Sequence, residues 1–303
     1  MSAARKPKPV YRASTIKRVR RTKAQIEQLE VQMVEVLSED HPQSVRHMFY
    51  RMTDPRLLEP VEKSETRGYR VVQDRLVKMR RSGVLPYGWI TDATRRGYFV
   101  NTFDSPSDFI RRMAGLYRSD LWKHSDYYCE VWVESRSIAG VIQDLCEELA
   151  VSLYPSGGFT SLTLAFEAAE SINQAHNGRD VVIFYIGDYD PAGVLIDVAI
   201  ERELRQHLDP EVDLRFERIG ITEQQVIDYD LPTKPRKAGE RRAPHIERTV
   251  EAEALPAGLM RELLRERIEA LLPPRALDVA KVAEENEQSF LNELADSIGG
   301  RRR

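Results

Sequence analysis

Cysteine is scarce in this sequence: of 303 residues only Cys129 and Cys146 carry thiols. They stand too far apart for a chelating pair and are too few for a disulfide framework, so both are expected to be buried and reduced. The six histidines, His41, His47, His124, His176, His207 and His245, show no ligand spacing with one another or with the cysteines, which argues against zinc. No stretch approaches the ~20 apolar residues of a membrane span, and the basic N-terminal end has no apolar secretory core. A cytoplasmic protein with no membrane partner is therefore expected. A Gly-x-x-x-x-Gly-Lys-Ser/Thr run is also missing, so no ATP-binding signature is present. Net charge is small as well, formally −3, and gives no global case for a nucleic-acid partner.

What is present is unevenly distributed. Residues 1–22 carry Arg5, Lys6, Lys8, Arg12, Lys17, Arg18, Arg20 and Arg21 without one acid. Such an arm either neutralises phosphates whatever the base sequence or serves as a disordered solubilising tail. Apolar residues then recur at helical spacing over about 22–38, 44–53 and 68–81, where Gly83 closes the third helix. Short extended segments follow at Trp89-Ile90 and Tyr98-Phe99-Val100. Three helices and a short β-element, with Arg70, Arg75, Lys78, Arg80 and Arg81 on the third helix, fit a winged-helix DNA-binding module or a helical domain with a solvated basic face.

After a helix over about 105–117 the pattern changes to alternating strands and helices. Strands are predicted at 127–133, 151–153, 181–186 and 214–219, with helices at 138–149, up to 175, and 191–208. That alternation predicts an α/β domain with a mainly parallel, Rossmann-like sheet. A polar loop over 231–245, rich in Lys234, Arg236, Lys237, Arg241 and Arg242, either touches phosphate or is simply solvated. A strand near 248–252 and helices at 256–272 and 273–294 follow.

The apolar run Val181-Val182-Ile183-Phe184-Tyr185-Ile186 has no alternation, as expected of a strand covered on both faces. It ends in Gly187-Asp188-Tyr189-Asp190-Pro191. Ligands of open α/β sheets collect beyond the carboxyl ends of strands, so Asp188 and Asp190 stand where a site belongs. An Asp-x-Asp pair there either holds a hard cation such as Mg²⁺ or caps the next helix. Glu134, which ends the strand Cys129-Glu130-Val131-Trp132-Val133, adds a third acid at a strand end of the same sheet.

With Val133-Glu134-Ser135 and Gly187-Asp188-Tyr189-Asp190-Pro191, the second half resembles a Toprim domain, the module of topoisomerases, primases and some nucleases. Ser44-Val45-Arg46-His47-Met48-Phe49-Tyr50-Arg51 resembles the Arg-x-x-aromatic-Tyr motif in the winged-helix domain of topoisomerase VI A subunits and related meiotic double-strand-break proteins. Thr249-Val250-Glu251-Ala252-Glu253-Ala254-Leu255-Pro256 is similar to the strand and turn before their closing helices. The resemblance spans roughly 24–272. It implies a winged-helix domain over 23–118 and a Toprim domain with C-terminal helices over 125–303. It further implies Mg²⁺, replaceable by Mn²⁺, on Glu134, Asp188 and Asp190, with Tyr50 as the nucleophile that keeps a 5′-phosphotyrosine. Double-stranded DNA, a homodimer, a separate ATPase or accessory subunit, and a nucleoid-associated location complete the expectation, with Arg18, Arg20, Arg21, Arg75 and Lys78 on the DNA.

The residues themselves suit that chemistry. A tyrosine of pKa ~10 needs a neighbouring cation or base to attack at neutral pH. Arg46 and His47 lie four and three residues before Tyr50, on one helical face. Arg46 is placed to stabilise phenolate or phosphate charge, and His47 either accepts a proton or is a surface residue. Tyr50 is equally compatible with a core position. Two rival functions remain open: a hydrolytic Toprim nuclease similar to the D subunit of Wadjet plasmid-defence systems, with Tyr50 structural, and a non-cleaving DNA-binding scaffold.

Overall fold

The computed structural model describes residues 21–91, 100–158 and 162–300. Arg18 and Arg20 of the basic arm, and Tyr98 and Phe99 of one predicted segment, lie outside the described residues. The chain opens with α1 (Lys23–Glu39), whose start is fixed by a capping box between Thr22 and Gln25. Helix α2 (Val45–Met52) is capped by Ser44, whose hydroxyl accepts from the His47 N–H at 3.2 Å. A π-helical turn over Glu65–Tyr69 leads into α3 (Arg70–Arg81), and Gly83 closes it at a φ of +76°, a conformation that favours glycine. Among the described residues, the β-structure of this region is a single parallel bridge between Gln43 and Ile90. Helix α4 (Pro106–Ala114) follows, capped by Ser105.

The second half is an α/β unit of Rossmann-like character. Strands β1 (Tyr127–Val133), β2 (Ser152–Pro155), β3 (Asp180–Ile186) and β4 (Leu214–Gly220) form one parallel sheet in the order β2-β1-β3-β4. Helices α5 (Arg136–Glu148), α6 (Leu162–Ala175) and α7 (Gly193–His207) make the crossovers. Helix α8 (Glu223–Asp228), a two-residue ribbon of β5 (Lys234–Pro235) with β6 (Arg248–Thr249), α9 (Ala257–Glu269) and α10 (Ala276–Gly300) complete the chain. No helix among the described residues is long and apolar enough to cross a membrane.

Strand alternation divides the sheet between two cores. Cys129, Val131 and Val133 of β1 with Val182, Phe184 and Ile186 of β3 pack against α5 and α9, and the same core continues into Leu29, Met33, Met48 and Phe49 of the N-terminal helices. Trp132, Val181, Ile183 and Tyr185 face the other way, onto Ala168, Ala169 and Ile172 of α6 and Ile196, Ile200 and Leu204 of α7. All six residues from Val181 to Ile186 are buried, each contributing about 1.5–3 kcal/mol on full burial of its side chain. Both cysteines are buried free thiols.

Candidate functional site

The sheet order itself marks the place. From β1 the chain steps outward to β2, then returns to the other side of β1 for β3 and β4, so the topology switches between β1 and β3. Crevices outside the carboxyl ends of strands at such a switch are the binding positions of open α/β sheets. Val133 and Ile186 are register partners at those ends, and the residues that follow them are Glu134 and Gly187-Asp188.

The acids are held by backbone donors. The Asp188 N–H donates to Glu134 Oε2 at 2.9 Å, and the Ala252 N–H donates to Asp188 Oδ1 at 2.8 Å. Asp190 Oδ1 accepts from the N–H groups of Ala192 and Gly193 at 2.8 and 2.6 Å, so this carboxylate caps the start of α7. Gly193 is required by close approach, because a Cβ there would lie 2.2 Å from the Asp188 carbonyl oxygen. Tyr189 pairs with Val250 in an antiparallel bridge, which carries Glu251 and Glu253 to the same place.

Behind the acids stands Arg218 of β4, largely buried. Its guanidinium donates to Asp197 Oδ2 at 2.6 Å and to the carbonyls of Gly193 at 2.6 Å, Gly187 at 3.1 Å and Ile221 at 3.2 Å. One side chain therefore ties the end of β3, the start of α7 and the turn after β4 together.

Charge is concentrated here beyond what the protein compensates. Burial, followed by repulsion from Glu134 and Glu253, pushes the Asp188 carboxyl up to about 8. Burial also raises Glu134, with Asp190 adding repulsion, although the Asp188 N–H and Arg218 pull the other way. Glu253 is buried and accepts from the hydroxyls of Ser135, at 3.3 Å, and Ser137. No group of three or more histidine, cysteine or carboxylate side chains among the described residues is gathered as a ready metal cage. Mg²⁺ does not demand one, since one or two carboxylates with water and phosphate oxygens satisfy it. Paired hard oxygens under mutual repulsion suit such a cation, and Glu134, Asp188 and Asp190 are the residues that could hold it.

Tyr50 and Arg46 on α2 reach this cluster through Glu251. The Arg46 guanidinium and Lys234 Nζ both donate to the Glu251 carboxylate, the lysine at 2.7 Å. Glu251 lies within electrostatic reach of the Tyr50 hydroxyl, and Lys234 Nζ lies 5.7 Å from the centre of the Tyr50 ring. Tyr50 is only 6% exposed, and burial, then Glu251, pushes its hydroxyl well above the ordinary tyrosine range. Against the upward pull of its own burial, Lys234 and Arg46 hold Glu251 below the usual carboxylate range. Burial pulls the Arg46 guanidinium down, but Glu251 more than offsets it and the net shift is upward.

The other expected residues are spread more widely. Arg21 donates to the Pro60 carbonyl at 3.0 Å and lies 3.8 Å from Glu59, tying the start of α1 to the segment after α2. Arg75 pairs with Glu30 of α1 at 3.3 Å, and Lys78 is exposed on α3. His47 is not a surface residue: it is 1% exposed, its Nδ1 is 2.9 Å from the Ser44 hydroxyl, and burial with nearby Arg261 lowers it to about 3. The shared core closes over His47, although Arg46 beside it on α2 stays partly exposed. Arg236 spends its guanidinium on carbonyls of its own loop, those of Glu240, Arg242 and Ile246 among them, and so gives the loop after β5 a defined course.

Sequence reasoning assigned no site role to Glu251, Glu253, Lys63, Arg218 or Asp197. For the glutamates a signal existed, since Glu251-Ala252-Glu253 repeats the acid-x-acid spacing of Asp188-Tyr189-Asp190 after a short strand. For Arg218 none did. Compared with protein-family models, curated proteins and solved structures, the chain matches none.

Proposed function

We propose that this chain breaks DNA phosphodiesters in a divalent-cation-dependent reaction, with Tyr50 as nucleophile, after the manner of the topoisomerase VI A subunits that its motifs resemble. One observation carries the reading. Tyr50 and Arg46, from an N-terminal helix, meet the strand-end acids of the sheet through Glu251 and Glu253, although some 80–200 residues separate these motifs. Helices α1–α3 then serve as the winged-helix module, and Arg21, Arg75 and Lys78 lie along double-stranded DNA. A homodimer and a separate ATPase or accessory subunit belong to the same proposal.

In the reaction the Tyr50 oxygen bonds to phosphorus and gives up its proton, the bond from phosphorus to the 3′ oxygen breaks, and that oxygen takes a proton. The 5′ end stays on the enzyme as a phosphotyrosine. Arg46 neutralises charge on the non-bridging oxygens. A divalent cation on Glu134, Asp188 and Asp190 would add the same neutralisation at the phosphoryl group.

The burial of Tyr50 also favours a second reading. A buried tyrosine whose hydroxyl is pushed upward is a poor nucleophile, which suits hydrolysis by water with Tyr50 structural, as in a Wadjet D-like nuclease. The experiment is incubation of the protein with supercoiled plasmid and Mg²⁺ or Mn²⁺, followed by denaturation. Protein attached to 5′ ends, lost in Tyr50→Phe and Asp188→Ala, is the expected result. Cleavage with unmodified ends that survives Tyr50→Phe would replace it by hydrolysis, and binding without cleavage would leave a scaffold.

A further inference from the structure

Glu251 is the point on which cations from separate segments converge. Arg46 comes from α2, Lys234 from β5, and Lys63, from the segment between α2 and α3, lies within electrostatic reach of both Glu251 and Lys234. Lys63 is held by the Thr233 carbonyl at 2.9 Å, and Arg248 donates to the Thr233 hydroxyl at 3.1 Å, so the neighbouring turn adds to the positive rim. Burial and Lys234 lower the Lys63 ammonium, with Glu251 pulling the other way. Arg46, Lys63 and Lys234 thus gather positive charge around Glu251, beside a cluster that is otherwise acidic.

We infer that Arg46, Lys63 and Lys234 form a phosphate-binding site for the DNA backbone, and that Glu251 occupies it in the absence of DNA as an internal stand-in for the phosphate. A carboxylate and a phosphodiester present the same paired anionic oxygens to a guanidinium. The Glu251, Arg46 and Lys234 side chains are 24%, 32% and 31% exposed, which lets a backbone oxygen reach the pair that Glu251 now holds. Exchange of partner would have a second effect. Lys234 Nζ lies 5.7 Å from the centre of the Tyr50 ring, so a phosphate that takes these cations from Glu251 would arrive beside the tyrosine. The site would thus seat the DNA backbone next to Tyr50.

The inference rests on reading this site as DNA-cleaving, and its test is a binding measurement that does not require cleavage. A short double-stranded oligonucleotide is titrated by fluorescence anisotropy in EDTA over a range of salt, with wild type, Glu251→Gln and Lys234→Met. Removing the internal anion in Glu251→Gln is expected to tighten binding about tenfold and to steepen the salt dependence, because released cations gain phosphates. Lys234→Met, which keeps Glu251, is expected to lower the slope of log affinity against log salt by about 1. Unchanged or weaker binding by Glu251→Gln at an unchanged melting temperature would overturn the inference. Should Glu251→Gln fold poorly, an unchanged slope in Lys234→Met would overturn it alone. Binding controlled by Glu251 without any covalent adduct would uphold the phosphate site while removing the tyrosine route. Adducts with binding indifferent to both substitutions would do the reverse.

Discussion

Asp188 is a carboxylate placed where its ionised form is disfavoured. Burial and the neighbouring acids Glu134, Glu253 and Glu251 raise it to about 8, so the folded chain binds a proton there that the unfolded chain releases near pH 4. Stability in the absence of divalent cations is therefore expected to fall as pH rises from about 4 through about 8. Asp188→Asn keeps the acceptor for the Ala252 N–H and removes the charge. Urea unfolding at pH 8 in EDTA should show the variant more stable than wild type by about 1–3 kcal/mol. His47 works on the acid side with the opposite slope. Its folded value near 3 lies below its unfolded value, so it costs stability as pH falls through 6.5 toward 3. His47→Gln should flatten that limb of the profile, and an unchanged limb would mean that the imidazole is not buried as described.

At the scale of elements, the acids depend on how three segments are joined. Arg218 spends its guanidinium on carbonyls from the end of β3, the start of α7 and the turn after β4, and on Asp197. Replacing it by Met removes the ion-pair partner of Asp197 and a shared donor from the Gly187, Gly193 and Ile221 carbonyls. The expected loss is about 3–5 kcal/mol, measured by urea unfolding, with Arg218→Lys recovering only part because its point charge cannot reach all these acceptors at once. Gly193→Ala should cost about 1–3 kcal/mol for a related reason, since its Cβ would strike the Asp188 carbonyl.

Most of these elements could be read from the residues. Strand β1 runs over the residues that its apolar pattern predicts, and β3 begins one residue early, because the side-chain period and the buried run define both. Boundaries moved where capping decided. Helix α5 starts at Arg136 because Ser135 accepts from the Ile138 N–H, and α7 starts at Gly193 because Asp190 holds the turn ahead of it. Helix α8, with six residues, and the two-residue strands β5 and β6 are too short to show a period. The burial of His47 and the partners of Arg218 come from contacts across the chain, which no local pattern encodes.

For the molecule as a whole, the decisive feature is that one core runs from the sheet into the N-terminal helices. Val131, Val133, Phe184 and Ile186 share it with Leu29, Met48 and Phe49. A fragment beginning near residue 120 would expose that face, so it is expected to bind an apolar dye and to lose cooperative unfolding, whereas the whole chain should unfold in one transition. The same continuity is what seats Tyr50 and Arg46 beside Glu251, so the site is a product of the joint between the two halves.

Glu134, Asp188 and Asp190, at the switch of the sheet, are proposed to hold a divalent cation for phosphodiester chemistry. Binding of Mn²⁺, followed by loss of the free-ion electron paramagnetic resonance signal, tests it without requiring turnover. Wild type and Tyr50→Phe are expected to take up Mn²⁺ alike, and Glu134→Gln and Asp188→Asn to lose at least about tenfold in affinity. Equal uptake by the acid variants and wild type would contradict the account.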